Sequence, residues 1–355
     1  MKKLKIVSIS AEVHPYSKTG GLGDVARSLP KAFHRLGHEV IIITPFYAKV
    51  IDQGKFKLEK IFSNVKLNID AKNEESVSYL RAELLPGLKV YFIGNEKYFS
   101  RHKKLYGSEH ENARFYLFDI AALKLISLLK FKADIIHCHD WHSGLVPYLK
   151  QSRFKKSETL SKAATVYTIH NLVFQLGHNW WEVPEKYKDK GTKTLPLFGD
   201  KKIEYINFAK RGILNADVIN TVSETYAEEI LRPSFGQDLH RILRNRKENL
   251  FGIVNGIDYK DYNPINDPNL VLNYDHKKIQ RKKVNKERIQ KLFNLKIDQD
   301  APVLCTTSRV TYQKGFELIL DTISNIMDMG AQLIVIGAGD KSYISEFMKL
   351  AKKDP

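Results

Sequence analysis

The segment Lys18-Thr19-Gly20-Gly21-Leu22-Gly23-Asp24-Val25 sets one cation and three glycines just after the apolar run Ile6–Ser10. The ammonium of Lys18 can meet a phosphate, and the glycines let backbone N–H groups approach a ligand that a Cβ would exclude. The amphipathic run Val25–Leu36 reads as a helix, so the glycines open onto a helix N-terminus, where anions are favoured. The spacing lacks the third glycine of a G-x-G-x-x-G fingerprint, and the lysine precedes the glycines, unlike that of a Walker loop. A tight strand-to-helix connection with no ligand is the plainer alternative.

Two further clusters sit where an apolar run gives way to a helical pattern. In Ile136-His137-Cys138-His139-Asp140-Trp141-His142, His139 and His142 are three apart and could share a metal, but no companion cluster at ligand spacing occurs elsewhere. Asp140 as a helix N-cap with Trp141 packed inward is the structural alternative. Thr168-Ile169-His170-Asn171-Leu172 brings a histidine and an amide to another strand end. A lone histidine there also serves as a satisfied core residue. Ligands of open α/β sheets gather at such carboxyl ends. Later, Arg309 and Lys314 bracket a turn that opens a helix from Phe316. Two cations and a helix N-terminus make a receptor for a diphosphate, or else a loop with two solvated charges.

The elements that must position these groups alternate along the chain. Strands are expected at Ile6–Ser10, Val40–Thr44, Ile135–Cys138, Thr165–Ile169, Val218–Val222, Val303–Thr307 and Leu333–Ile336. Helices are expected at Val25–Leu36, Ala113–Leu129, Ile203–Leu214, Glu224–Leu231, Lys277–Leu292 and Glu317–Met327. Continuous apolar strands separated by helices predict a parallel sheet covered on both faces. Residues 56–93, with a turn at Pro86-Gly87, predict an inserted hairpin. The turn signal Asn255-Gly256 and the irregular stretch after it place a boundary near Gly252. The expected domains are 1–252, with about five parallel strands, and 253–355. The second holds two strands with their helices, fewer than a doubly wound domain needs, so it is expected to be incomplete.

A chain of 355 residues exceeds one usual core. Its formal charge of +17 comes from scattered lysines, which argues against a nucleic-acid face and suits a cleft that gathers an anionic sugar nucleotide. Cys138 and Cys305 lie in apolar runs and are expected as buried free thiols in a reducing compartment. Neither a secretory apolar region nor a run of ~18–20 apolar residues is present, so a soluble cytoplasmic protein without membrane contact is expected.

Five motifs, SAEVHPYSKTGGLGDV, DWH, HNL, NGID and SRVTYQKG followed by VIGAGD, resemble those of the bacterial glycogen and plant starch synthases, in that order, from Ile6 to about Asp340. The resemblance implies a retaining glycosyltransferase of the GT-B type, with two Rossmann-like lobes. It implies transfer of glucose from ADP-glucose to the non-reducing end of an α-1,4-glucan, with no metal and no cofactor beyond the donor. By motif, His170, Asp140 and Asp24 take the catalytic and sugar-facing roles. Lys18, Gly20, Gly21, His142, Asn255, Arg309 and Lys314 bind donor or acceptor. Two departures stand out. Phe174-Gln175-Leu176-Gly177 is one residue longer than the family pattern. The family's later glutamate loop and second glycine signature are missing, so a non-catalytic glucan- or nucleotide-binding remnant is the alternative.

Overall fold

The computed structural model describes residues 2–354. The chain divides into two compact units, Met1–Gly256 and Ile257–Pro355. The first contains strands β1 (Lys5–Ile9), β2 (Glu39–Pro45), β3 (Glu59–Asn68), β4 (Glu74–Leu85), β5 (Leu88–Gly94), β6 (Ile135–His139), β7 (Ala164–Ile169), β8 (Val218–Thr221) and β9 (Leu250–Gly252). Its helices are α1 (Gly21–Arg35), α2 (Glu111–Leu128), α3 (Val146–Ser152), α4 (Phe208–Asn215), α5 (Glu224–Glu229) and α6 (His240–Asn245).

These strands form one 9-stranded sheet in the order β3-β4-β5-β2-β1-β6-β7-β8-β9. From β5 to β9 every pairing is parallel; β3 and β4 run antiparallel at one edge. The sheet is larger than the expected five parallel strands. The expected hairpin is β4–β5, turned at Pro86-Gly87 with Gly87 at φ 82°, and its second strand also pairs with β2 and so extends the parallel block. Side chains of the central strands, among them Val7, Ile9, Ile42, Ile43, Ile136 and Ile219, are almost fully buried. That follows from helices covering both faces, each such side chain contributing about 1.5–3 kcal/mol.

Helix α2 is buried on every side from Glu111 to Leu123, its largely apolar length interrupted by a buried Glu111–Arg114 ion pair and by Asp119. The expected helix Ile203–Leu214 is in fact two elements, a 3-10 turn at Lys201–Tyr205 and then α4. Asn207 breaks it: its side chain accepts from Lys210 N at 2.8 Å and caps α4 from an extended backbone.

The second unit has α7 (Lys282–Leu292), β10 (Val303–Thr307), α8 (Phe316–Asp328), β11 (Gln332–Ile336) and α9 (Lys341–Lys353). β10 and β11 form a parallel pair. Cys138 is buried as expected, but Cys305 is exposed on β10, because neither face of this strand is fully covered: Leu304, on the opposite face, is exposed as well.

Candidate active site

Register alone brings three loops of the first unit together. Ile9 pairs with Ile43 and with Cys138, and His139 pairs with Thr168. The loops that leave β1, β6 and β7 therefore emerge at one end of the sheet, the carboxyl end where α/β ligands bind.

The loop after β1 is organised by Glu12, which lies within the first motif without a role implied for it there. Its buried carboxylate accepts Thr19 N at 2.7 Å, Thr19 Oγ1 at 2.5 Å, Gly20 N at 3.3 Å and the hydroxyl of Tyr106 at 2.7 Å. Gly20 caps α1 without a side-chain hydrogen bond. A Cβ on Gly20 or Gly21 would meet no atom within 4 Å, whereas one on Gly23 would press on Lys18 Cγ and Glu12 Oε2. Packing accounts for Gly23. It does not account for Gly20 and Gly21, whose bare backbone faces outward at a helix N-terminus. Lys18 is bonded to Asp24 through both carboxylate oxygens, at 2.8 and 2.6 Å. The two residues assigned by motif to phosphate and sugar thus form one ion pair.

At the end of β6 the backbone of Asp140 takes φ 56°, ψ −177°, a region non-glycine residues avoid. That conformation turns its carboxylate toward the next loop, where Oδ1 accepts His170 N at 2.8 Å. Asp140 is the nominal N-cap of the turn Trp141–Ser143 but makes no side-chain cap bond there; its hydrogen bonds go to the β7 loop instead. Burial raises its pKa, partly opposed by the His170 charge and by the N–H groups of His170 and Asn171. Beside it, His139 Nδ1 lies 3.1 Å from His170 Nε2, and His139 Nε2 lies 3.3 Å from Ser8 Oγ. Burial, then the neighbouring histidines, hold His139 well below the usual imidazole range. A neutral ring has one N–H and one acceptor nitrogen, so His139 links Ser8 to His170. His137 is likewise lowered, to about 3, chiefly by burial. It bonds Thr168 Oγ1 at 2.6 Å, and Thr168 donates to Asn220 at 2.6 Å.

His142 is buried. It stacks on Tyr106 at 4.8 Å and packs edge-on against Phe115 at 4.6 Å, with Nδ1 unpartnered. Burial, then the Arg114 charge, keep it neutral. It therefore supports Tyr106, which bonds Glu12, from behind the glycine loop. His139 and His142 do not converge, and among the described residues no group of three or more His, Cys, Asp or Glu could hold a metal.

Asn255 is exposed at the end of the first unit. In the second unit, Arg309 and Lys314 are exposed on the loop between β10 and α8, which closes on Gly315 at φ 69°. The glycine turn after β11 abuts that loop: Val310 N donates to Ala338 O at 3.0 Å and Asp340 N to Val310 O at 2.8 Å. A Cβ on Gly337 or Gly339 would lie 2.1 Å from a carbonyl oxygen of this loop, so glycine is required for the two turns to touch.

The family described as starch synthase catalytic domain matches residues 5–245. A glycogen synthase of Pseudothermotoga lettingae is 36% identical over 99% of this chain and 72% of its own length. One from Desulforamulus reducens is also 36% identical, over 99% and 72%. Among solved structures, the catalytic domain of starch synthase IV from Arabidopsis thaliana, bound to ADP and acarbose, is 30% identical. It superposes with a TM-score of 0.86, covering 99% of this chain and 72% of that one. Rossmann-like α/β units of the GT-B type are thus shared with these relatives, and no helix among the described residues is long and apolar enough to cross a membrane. By sequence over nearly its whole length and by fold, this chain belongs to the glycogen and starch synthase family of glycosyltransferases.

Proposed function

We propose that the protein transfers glucose from ADP-glucose to the non-reducing end of an α-1,4-glucan, with retention at the anomeric carbon, in the cytoplasm. The observation that carries this reading is the Asp140–His170 clamp, set at the strand ends beside an uncapped glycine-bordered helix terminus. The relative solved with ADP and acarbose supports a nucleotide and an α-linked oligosaccharide as ligands.

In this reading His170 serves the transferred glucose. Its Nε2 is engaged by His139, which leaves Nδ1 for a sugar hydroxyl. Asp140 sets the main chain that carries His170 and adds negative potential near a centre that becomes cationic as the leaving group departs. The N–H group of Gly21 with Lys18 meets anionic oxygens, Gly20 leaves room for their approach, and Asp24 holds Lys18 in place until they arrive. Arg309 and Lys314 neutralise the diphosphate as charge builds on it, so the donor is the only small molecule this scheme calls for. His142 and Asn255 complete the sugar-binding set, the former by supporting Tyr106.

Incubation with labelled ADP-glucose or UDP-glucose and glycogen tests the proposal. Label is expected in ethanol-precipitable glucan, faster from ADP-glucose, and released by an enzyme specific for α-1,4 bonds. Label recovered only as free glucose, or none with either donor, refutes it.

A further inference from the structure

The chain between β7 and α4, residues 170–207, contains no regular strand or α-helix, yet it is held firmly. The buried Asp189 carboxylate accepts Arg211 Nε at 2.8 Å and the Arg211 terminal nitrogen at 2.9 Å. The buried Gln175 side chain receives Asn207 Nδ2 at 2.5 Å and donates to Gln237 O at 2.7 Å. On this scaffold stand two consecutive tryptophans with opposite fates. Trp180 is 1% exposed and Trp181 is 60% exposed. Each indole N–H is caught by one residue of a neighbouring turn. Trp180 Nε1 donates to Asp238 Oδ2 at 3.3 Å, and Trp181 Nε1 donates to Gln237 Oε1 at 3.2 Å. Gln237 and Asp238 are themselves held at φ 46° and 66°, a backbone that non-glycine residues adopt only when the surroundings impose it. Trp181 N is tied in turn to Asn179 Oδ1 at 3.1 Å, and Lys188 Nζ sits 5.6 Å over the ring.

An exposed indole with its N–H anchored and one face braced presents its other face to solvent at small further loss of rotamer freedom. The core does not need it, because Trp180 already fills the buried position. Nearby on the same loop, Tyr187 is 41% exposed and stacks on Tyr205 with centroids 5.2 Å apart and planes 6° from parallel, a second braced aromatic. The exposed charges of the loop are mixed: Glu182 and Glu185 offset two of Lys186, Lys188 and Lys190, Lys188 being paired with Glu185, while Asp189 is buried on Arg211. A polyanion gains little from such a patch. A neutral polymer with flat C–H faces and polar edges fits it, and a pyranose is such a unit.

We propose that Trp181, supported by Gln237 and flanked by the Tyr187–Tyr205 pair, is a stacking platform for the polymeric α-glucan acceptor, outside the strand-end site and reached only by long chains. This rests on the glucan reading above. Its recognition chemistry is contact of sugar C–H groups with the indole face, with the flanking polar side chains at the sugar hydroxyls.

The test is native electrophoresis of the full chain in gels with and without glycogen, which reads binding without turnover. Glycogen is expected to retard the wild-type protein. Trp181→Ala is expected to raise the apparent Kd for glycogen roughly tenfold, equivalent to about 1.4 kcal/mol, and Trp181→Phe to stay near wild type. Circular dichroism checks that both variants fold. In parallel, Trp181→Ala is expected to raise KM for glycogen while KM for a short maltooligosaccharide and for the donor holds. Loss of retardation in Trp181→Ala with no turnover in any protein supports the platform and removes only the catalytic reading. Three results overturn the platform: an unretarded wild type, equal retardation of wild type and Trp181→Ala, or a Trp181-dependent shift by single-stranded DNA in place of glycogen.

Discussion

The Oδ1 atom of Asp140 accepts the backbone N–H of His170 at 2.8 Å, across the 30 residues that separate the ends of β6 and β7. A side chain on one strand end thereby sets the main chain of the next, and the strained backbone of Asp140 is what allows the reach. Asp140→Ala leaves the amide of His170 without this acceptor and removes a carboxylate from the proposed sugar site. Transfer is expected to fall on the order of 10²–10³-fold, with the donor Kd changing by less. Equal activity of Asp140→Ala and wild type in the labelled-glucose assay contradicts the role.

The Lys18–Asp24 pair makes an asymmetric prediction. Lys18→Ala removes the charge proposed to meet the phosphate and is expected to weaken ADP-glucose binding by on the order of 1.5–3 kcal/mol. Asp24→Asn frees the ammonium from its carboxylate, so binding of ADP itself is expected to tighten while turnover falls. Calorimetric titration separates these outcomes. If ADP affinity moves the same way in both variants, Lys18 is not the phosphate contact. Arg309→Ala is expected to match Lys18→Ala in its loss of donor affinity.

Gly21→Ala adds a methyl group that touches no protein atom at the first residue of α1. Stability is expected to hold or rise by about 0.4–1 kcal/mol, because the unfolded chain loses freedom. Donor affinity is expected to drop at least several-fold. A variant that loses stability and keeps its affinity means the glycine serves the turn alone.

Glu12→Gln replaces one of two oxygens, each of which receives two donors, with an NH2 that can accept from neither. Urea denaturation is expected to show a loss of about 1–3 kcal/mol, with a weaker hold on the donor because Thr19 and Gly20 are released. Tyr106→Phe, which removes a single bond to the same carboxylate, is expected to lose about 0.5–1.5 kcal/mol.

Asp119 lies in the core with Oδ2 on Leu145 N at 3.0 Å and Oδ1 unpartnered. Burial drives its pKa well above the ordinary value, opposed only by the Leu145 N–H. An acid whose folded pKa is raised binds its proton more tightly in the native state, so its contribution is fully present below the unfolded pKa. It is lost as pH rises from there toward the folded pKa. Asp119→Asn mimics the protonated form at every pH. Thermal melts from pH 4 to 8 are expected to show the variant gaining on wild type as pH rises, with the gap closing toward pH 4. A constant gap shows that Asp119 does not titrate on unfolding.

Much of this protein was legible in its sequence, and for local reasons. Apolar runs without alternation mark strands covered on both faces. Glycines after β1 and β11 mark turns where backbone must come close to something, and the motifs Asp140–His142, His170–Leu172 and Arg309–Gly315 fall at strand ends because βα loops begin there. The helix pattern over Ile203–Leu214 misled because apolar spacing ran through Asn207, whose side chain preferred to cap the next helix. Cys305 misled because a strand pattern reports what could be covered, and only the neighbours decide what is.

The tertiary structure alone decided which chemical groups meet. Glu12 lies inside the first motif with no role implied for it, and it reaches Tyr106 across 94 residues. His139 meets His170 across 31, and His142 stacks on Tyr106, 36 residues earlier in the chain. The exposure of Trp181 beside the buried Trp180 is set by a turn more than 50 residues further along. Patterns of polarity and turn residues act over a few positions and determine which segments become strand, helix or loop. Hydrogen bonds between loops depend on the register of parallel strands, which is fixed by packing over the whole sheet, so these partnerships exist only once the chain has folded.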